Sequence, residues 1–338
     1  MSSTALQPRP VETRSVQVNG IGMHVVSTGS GPALTFIHGL GWDHRMWLPA
    51  LERYSGRYRV FAGDSRGHGQ SEKPDGPYTM AQFADDWMAA LESVSALPGC
   101  IVGLSQGGMV AQAIAIAAPH LVKALVLVST TCREDPETSA NMAARLDGMR
   151  KAGARAAAEV AAKSIFSQGF RAANPDYLAA FIAARTAQPQ EPLISAMAAL
   201  KDFDYAAGLE QLDIPTLVIA GSEDALTPPA AVREVAAHIP NAQLIELSGA
   251  GHIISEEQPA GPDHRGHHDP LPAAAHAPDR RDRRVQRDRR LSARQDRTPE
   301  PARRFRRLIF TLPGHRHDHD RRSPRSSQGL ATHPHPAG

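Results

Sequence analysis

Cysteine is almost absent. The 338-residue chain has only Cys100 and Cys132, too few for a disulfide framework, which points to a reducing, cytoplasmic setting. No apolar run reaches the roughly 20 residues a membrane-spanning helix needs. Residues 1–14 are polar and contain proline, so neither a signal peptide nor a membrane partner is expected. No segment repeats, which excludes a solenoid. The G-x-x-x-x-G-K-[ST] spacing of a phosphate loop is missing as well. Arg66-Gly-His-Gly-Gln-Ser71 imitates such a loop only superficially and reads as a tight structural turn. Lysine is absent after residue 260, and that absence marks a break in the chain.

Residues 261–338 carry 18 arginines against nine acidic residues, which leaves 19 basic and 26 acidic side chains in residues 1–260. The near-neutral total of +2 therefore hides an acidic body and an Arg-only tail. Hydrophobic residues make up 41% of the chain, enough to bury a large core.

Within the body, short apolar runs alternate with helical patterns. Residues 15–29 read as a hairpin turned at Asn19-Gly20. Strands follow at Ala33–Ile37, Tyr58–Ala62, Ile101–Val102, Lys123–Val128, Thr216–Ala220 and Gln243–Leu247. Thr79 is placed to cap a helix reaching about Leu91, and another helix spans about Pro229 to His238. This alternation predicts an α/β fold with a mostly parallel central sheet flanked by helices. An Ala-rich block at 133–205, with breaks near Gly169 and Pro175, reads as a helical cap inserted between core segments 1–132 and 206–260. Met23, Met46, Met80 and Met109 are expected to fill core space.

The chemistry centres on Gly103-Leu-Ser-Gln-Gly107, a G-x-S-x-G between a strand and a helix. A strand that turns at once into a helix leaves no room for side chains beside the turn, and the new helix aims its free N–H groups at the exposed hydroxyl. Acyl transfer by Ser105 also needs a base, an acid to orient it and donors for an oxyanion. Asp224 follows one strand and His252 follows the next, giving the order Ser, Asp, His. Glu223 is a rival carboxylate, but Asp224 is better placed before Thr227-Pro228. A glycine-flanked loop histidine is commonly just solvated, so it is the order and position that single out His252. The oxyanion donors are expected to be the amides of Gln106 and Leu40. His38 is expected to brace the Leu40 loop rather than act as a base. Trp42, Trp47, Phe166 and Phe170 are candidates to shape the substrate pocket, with Phe203 a further one. No metal or other cofactor is required.

Taken together, His38-Gly39, the Gly63–Ser71 turn, Gly103–Gly107, Ile219–Asp224 and Gly251-His252 resemble the α/β-hydrolase superfamily over about residues 12–260. Gly39–Trp47, Gly103–Gln112 and Val126–Thr130 resemble the 3-oxoadipate enol-lactonase group. The resemblance implies Ser105 as nucleophile, His252 as base and Asp224 as orienting acid, acting on a small-molecule ester or lactone in aromatic-compound catabolism. Related esterases, cofactor-free haloperoxidases and C–C bond hydrolases share these stretches. An aspartate at the elbow would mark epoxide hydrolases and dehalogenases, and Ser105 argues against both. The non-enzymatic reading is a ligand-binding homologue, against which the intact triad stands.

Members of the superfamily continue with a helix after the catalytic histidine, starting near Glu256-Glu-Gln-Pro259. Here the Arg/Pro/His/Asp mixture takes over instead. An Arg-rich nucleic-acid arm is one reading; a frameshift in a GC-rich message is the simpler one, giving a disordered tail. Shifted by one base, His and Asp codons followed by C become Thr or Ile codons, which moves the stretch toward an apolar helix. Resequencing the locus is expected to restore a shorter chain ending in that helix; an unchanged sequence refutes the frameshift.

Overall fold

The computed structural model describes residues 10–134 and 136–258. The Arg-rich stretch lies outside them, as does any helix it replaced. Eight strands follow the apolar runs: β1 (Glu12–Val18), β2 (Ile21–Gly29), β3 (Ala33–Ile37), β4 (Arg59–Gly63), β5 (Gly99–Leu104), β6 (Val122–Val128), β7 (Thr216–Gly221) and β8 (Gln243–Leu247). The helices are α1 (Leu48–Tyr54), α2 (Met80–Ser93), α3 (Gln106–Ala117), α4 (Pro136–Ile165), α5 (Gln168–Ala173), α6 (Pro175–Thr186), α7 (Gln190–Ala198), α8 (Ala206–Leu209), α9 (Pro229–His238) and α10 (Ile254–Glu257). None among the described residues is long and apolar enough to cross a membrane.

The strands form one sheet in the order β1-β2-β4-β3-β5-β6-β7-β8. β1 and β2 make the expected hairpin, with Asn19 and Gly20 both at positive φ, as a two-residue hairpin turn requires. β2 also runs antiparallel to β4, and every pairing from β4 to β8 is parallel. Strand residues alternate between two apolar layers. Ile101, Leu125, Leu127 and Val218 join Phe83, Trp87, Val110 and Val232 on one face. Val102, Val126, Leu217 and Ile219 join Trp47, Leu51 and Ile165 on the other. All four methionines named above are buried in these layers.

Helix boundaries follow local chemistry. Thr79 caps α2 with a reciprocal pair, its hydroxyl accepting from Gln82 N (3.1 Å) while Gln82 Oε1 accepts from Thr79 N (3.0 Å). In the 133–205 block the break expected near Gly169 falls at Ser167, whose hydroxyl caps α5 through Phe170 N (3.2 Å). Gly169 sits inside the first turn of α5, because a serine cap starts a helix more decisively than one exposed glycine stops it. Pro175 does begin a helix, α6. Gly153, at φ 82°, adds an unforeseen break within α4. The block leaves and returns at one place: Arg133 bridges Asp204, Glu134 N donates to Phe203 O (3.0 Å) and Tyr205 N donates to Cys132 O (2.8 Å).

The Gly63–Ser71 turn is built on buried charge. Arg66 Nε and Nη2 reach the Asp86 carboxylate at 2.8 and 3.0 Å, with both residues buried, which ties the turn to α2. Asp64 accepts from His44 N, the His44 ring and Gln70 N. Breaking a buried pair on one side strands a charge. Asp86→Ala is therefore expected to lower unfolding stability by about 3–5 kcal/mol, with much of the loss recovered in Asp86→Ala/Arg66→Met. Urea denaturation checks this; a loss below about 1 kcal/mol, the value of an exposed pair, refutes it.

Candidate active site

The parallel strands deliver their loops to one edge of the sheet. β3 has β4 on one side and β5 on the other, so successive crossovers part there and open a crevice at the carboxyl ends. Ser105 stands at that point, between β5 and α3. Its backbone is strained, at φ 55° and ψ −120°, a conformation that costs about 1–3 kcal/mol and persists only where the surroundings enforce it. Ser105 N donates to Val128 O (2.9 Å), and Thr130 Oγ1 donates to Ser105 O (2.8 Å).

Both motif glycines are sterically required. A Cβ on Gly103 would lie 2.3 Å from Gly107 O, and one on Gly107 would lie 2.3 Å from Ile37 O. The start of α3 thus rests directly on the end of β3. A Cβ on Gly39 would meet Ser105 Cβ at 3.2 Å, so the His38–Leu40 loop lies beside the serine. Gly39 O accepts from Trp42 N (3.1 Å) and from His38 Nδ1 (2.8 Å). Because a trans peptide is planar, holding that carbonyl turns the Leu40 N–H the opposite way. Among the described residues neither the Leu40 nor the Gln106 N–H has a backbone acceptor.

The His38 ring bridges two loops, since its Nε2 accepts from Ser65 N (2.9 Å) while Nδ1–H donates to Gly39 O. Only a neutral ring can do both. Burial pushes the His38 pKa down, and it pushes that of neighbouring His68 down to about 3.

Asp224 follows β7 and His252 follows β8. His252 Nδ1 lies 2.8 Å from Asp224 Oδ2, with both residues buried. A carboxylate accepts, so Nδ1 carries the proton. Asp224 Oδ1 is held by the amides of Leu226 (2.9 Å) and Thr227 (2.8 Å). Glu223 instead turns to Gln168 N (3.3 Å), so the geometry selects Asp224 of the two carboxylates. Among the described residues no hydrogen bond joins the Ser105 hydroxyl to His252.

Residues of the 133–205 block and of α10 that no motif singled out hold these loops. His252 N donates to Ile165 O at the end of α4 (2.7 Å). The Glu257 carboxylate accepts from Gly251 N (3.0 Å) and Ser167 N (3.3 Å). Arg185 and Gln188 reach the carbonyls of Leu40 (3.0 Å) and Gly41 (2.8 Å).

Of the expected pocket residues, half-buried Trp42 packs on Phe181 (5.6 Å). Phe166 stacks on Phe170 (5.2 Å) and meets Phe181 edge-on (5.1 Å). Trp47 shares the apolar layer of that group, and Phe203 does not. Trp47 is buried against Phe36 (5.0 Å) beneath the loop, and Phe203 packs in the layer on the opposite face of the sheet. Amphipathic periodicity marks such residues as buried without telling which layer receives them.

Among the described residues two clusters carry metal-ligating side chains: His24/His44/Asp64 and Cys132/Glu234/His238. In the first, the Asp64 oxygens are already taken by N–H donors. In the second, Arg133 pairs with Glu234 and the His238 ring with Glu210. Both work as structural polar networks.

The profile of the alpha/beta hydrolase fold matches residues 32–259. The chain is 30% identical over 233 residues to 3-oxoadipate enol-lactonase 2 of Acinetobacter baylyi, covering 69% of this chain and 86% of that one. It is also 30% identical over 234 residues to RutD of Stutzerimonas stutzeri, to which carbamate hydrolysis is ascribed, covering 68% and 88%. A solved enol-lactonase from Burkholderia xenovorans LB400 superposes with a TM-score of 0.68 at 29% identity, over 73% of this chain and 95% of that one.

His38 and His68 are bases whose folded pKa lies below the unfolded one. The unfolded chain therefore takes up protons first, and stability is full above about pH 6.5 and lost as pH falls. For His68 the loss runs down to about pH 3, at up to ~1.4 kcal/mol per pH unit. His68→Gln is expected to remove about one proton from the stability slope between about pH 6 and pH 4. Denaturant titrations across that range measure it, and an unchanged slope would falsify the assignment.

Proposed function

This chain belongs to the α/β-hydrolase family, and from that premise we propose that it is a serine hydrolase cleaving a small carboxylic ester or lactone through an acyl-enzyme on Ser105. The observation that carries the reading is the buried Asp224–His252 hydrogen bond (2.8 Å); Ser105 stands at the strained turn between β5 and α3, and among the described residues the Leu40 and Gln106 amides have no backbone acceptor. In this reading Asp224 orients His252 and fixes its tautomer. His252 Nε2 accepts the Ser105 proton as Oγ attacks the carbonyl carbon. The oxyanion takes hydrogen bonds from Leu40 N–H and Gln106 N–H. The C–O bond then breaks, and the His252 imidazolium gives its proton to the departing alkoxide or enolate. Water, deprotonated by His252, attacks the acyl carbon, Ser105 regains its proton, and the carboxylic acid leaves.

The two enol-lactonase relatives support a lactone as substrate, with Trp42, Phe166 and Phe170 on the cap side of the acyl pocket. The RutD relative supports a second reading, a carbamate opened by the same steps. Two unpaired cysteines, Cys100 and Cys132, fit a cytoplasmic setting.

The test is steady-state hydrolysis across a panel of lactones, aryl esters and carbamates. Ser105→Ala is expected to lower kcat by on the order of 10⁴-fold or more, and Asp224→Asn by on the order of 10⁴-fold, with the fold intact. A fluorophosphonate probe should label the wild type at Ser105. A folded Ser105→Ala that keeps wild-type turnover sinks this reading, and absent labelling favours a ligand-binding homologue.

A further inference from the structure

We propose that the cap sets the oxyanion hole: Arg185 and Gln188, at and just beyond the end of α6, are positioning residues that hold the Leu40–Gly41 backbone in its donor geometry. The inference rests on Leu40 serving as an oxyanion donor, as proposed above.

Three successive carbonyls of this loop are held. His38 and Trp42 hold Gly39 O. Arg185 Nη2 donates to Leu40 O (3.0 Å), and Gln188 Nε2 donates to Gly41 O (2.8 Å). Each planar peptide couples one carbonyl to the next residue's N–H. The first contact aims the Leu40 N–H, and the two cap contacts hold the two peptide planes that follow, which restrains the backbone on the far side of Leu40 from that amide. A flip of the Gly39–Leu40 peptide would aim the Gly39 carbonyl at a developing negative charge.

The guanidinium is itself fixed. It lies over the rings of Trp42 (5.6 Å) and Phe181 (5.4 Å), and its Nη1 donates to Gln188 Oε1 (3.2 Å). Gly41, at φ +71°, makes the seat: a Cβ there would fall 1.3 Å from Arg185 Nη1. The glycine serves both the turn and the arginine. A cap anchor alone would need neither donors on carbonyls of the oxyanion loop nor a cleared space beside them. The consequence is that transition-state stabilisation depends on the Arg185 and Gln188 contacts, while the nucleophile and the base stand on other loops.

The experiment uses the full chain, with p-nitrophenyl butyrate as substrate and phenylboronic acid as probe, since its tetrahedral serine adduct places an oxygen in the hole. Arg185→Ala is expected to lower kcat about 10–100-fold, the range for residues that orient a reacting group. KM should change little, and the boronate inhibition constant should rise in parallel with the fall in kcat. Added guanidinium ion at millimolar concentration should restore part of the rate. Arg185→Ala/Gln188→Ala should lose less than the sum of the two single variants, since Arg185 Nη1 also donates to Gln188 Oε1. If Arg185→Ala fails to fold, Gln188→Ala and Arg185→Lys carry the same comparison with smaller losses. Unchanged kcat, a kcat loss with an unchanged boronate constant, or additive losses in the double variant overturn the proposal. Ser105→Ala run alongside separates the two failures: if it stays active the nucleophile assignment is wrong, and if it is inactive while Arg185→Ala is normal, only the cap coupling is.

Discussion

The close approach of α3 to the end of β3 is the constraint on which the rest depends. Side chains at 103 or 107 would put a carbon 2.3 Å from backbone oxygens, so both positions are bare. That bareness lets the chain reverse from β5 into α3 within one residue. Ser105 absorbs the reversal in a strained backbone, and among the described residues the first helical amide, that of Gln106, has no backbone acceptor. Exposed hydroxyl and free donors are thus two results of one packing requirement, and the parallel sheet sets them at the crevice where the crossovers part.

Around that point the body of the sheet supplies stiffness through buried polar networks. Asp64 gathers donors from the loop after β3 and from its own turn, Arg66 fastens the turn to α2, and His38 spans from the turn to Gly39. Each buried polar group would be costly alone and is stable because its partners are in place. A neutral His38 is part of this arrangement, because one ring nitrogen must accept while the other donates.

The 133–205 block touches two of the site's loops. Ile165 O and Ser167 meet the His252 loop, while Arg185 and Gln188 meet the Leu40 loop. His252 is therefore held by Asp224, by α4 and, through Glu257, by the short α10, all within the described residues.

What the sequence determined by itself was local. G-x-S-x-G, Thr79 with Gln82, Asn19-Gly20 and the order Ser105, Asp224, His252 are legible because glycine spacing, caps and strand ends act within a few residues. What only the tertiary structure decided involves partners far apart in the chain. Asp224 rather than Glu223 meets His252, 28 residues on. Trp47 and Phe203 fill core layers, although their apolar character alone suited a pocket equally well. Arg185 reaches Leu40 across 145 residues, and no periodicity or motif announces a hydrogen bond from a side chain to a distant backbone carbonyl. Hydrophobic pattern tells a residue to be buried; which neighbour it meets is set when the sheet, helices and cap close on one another.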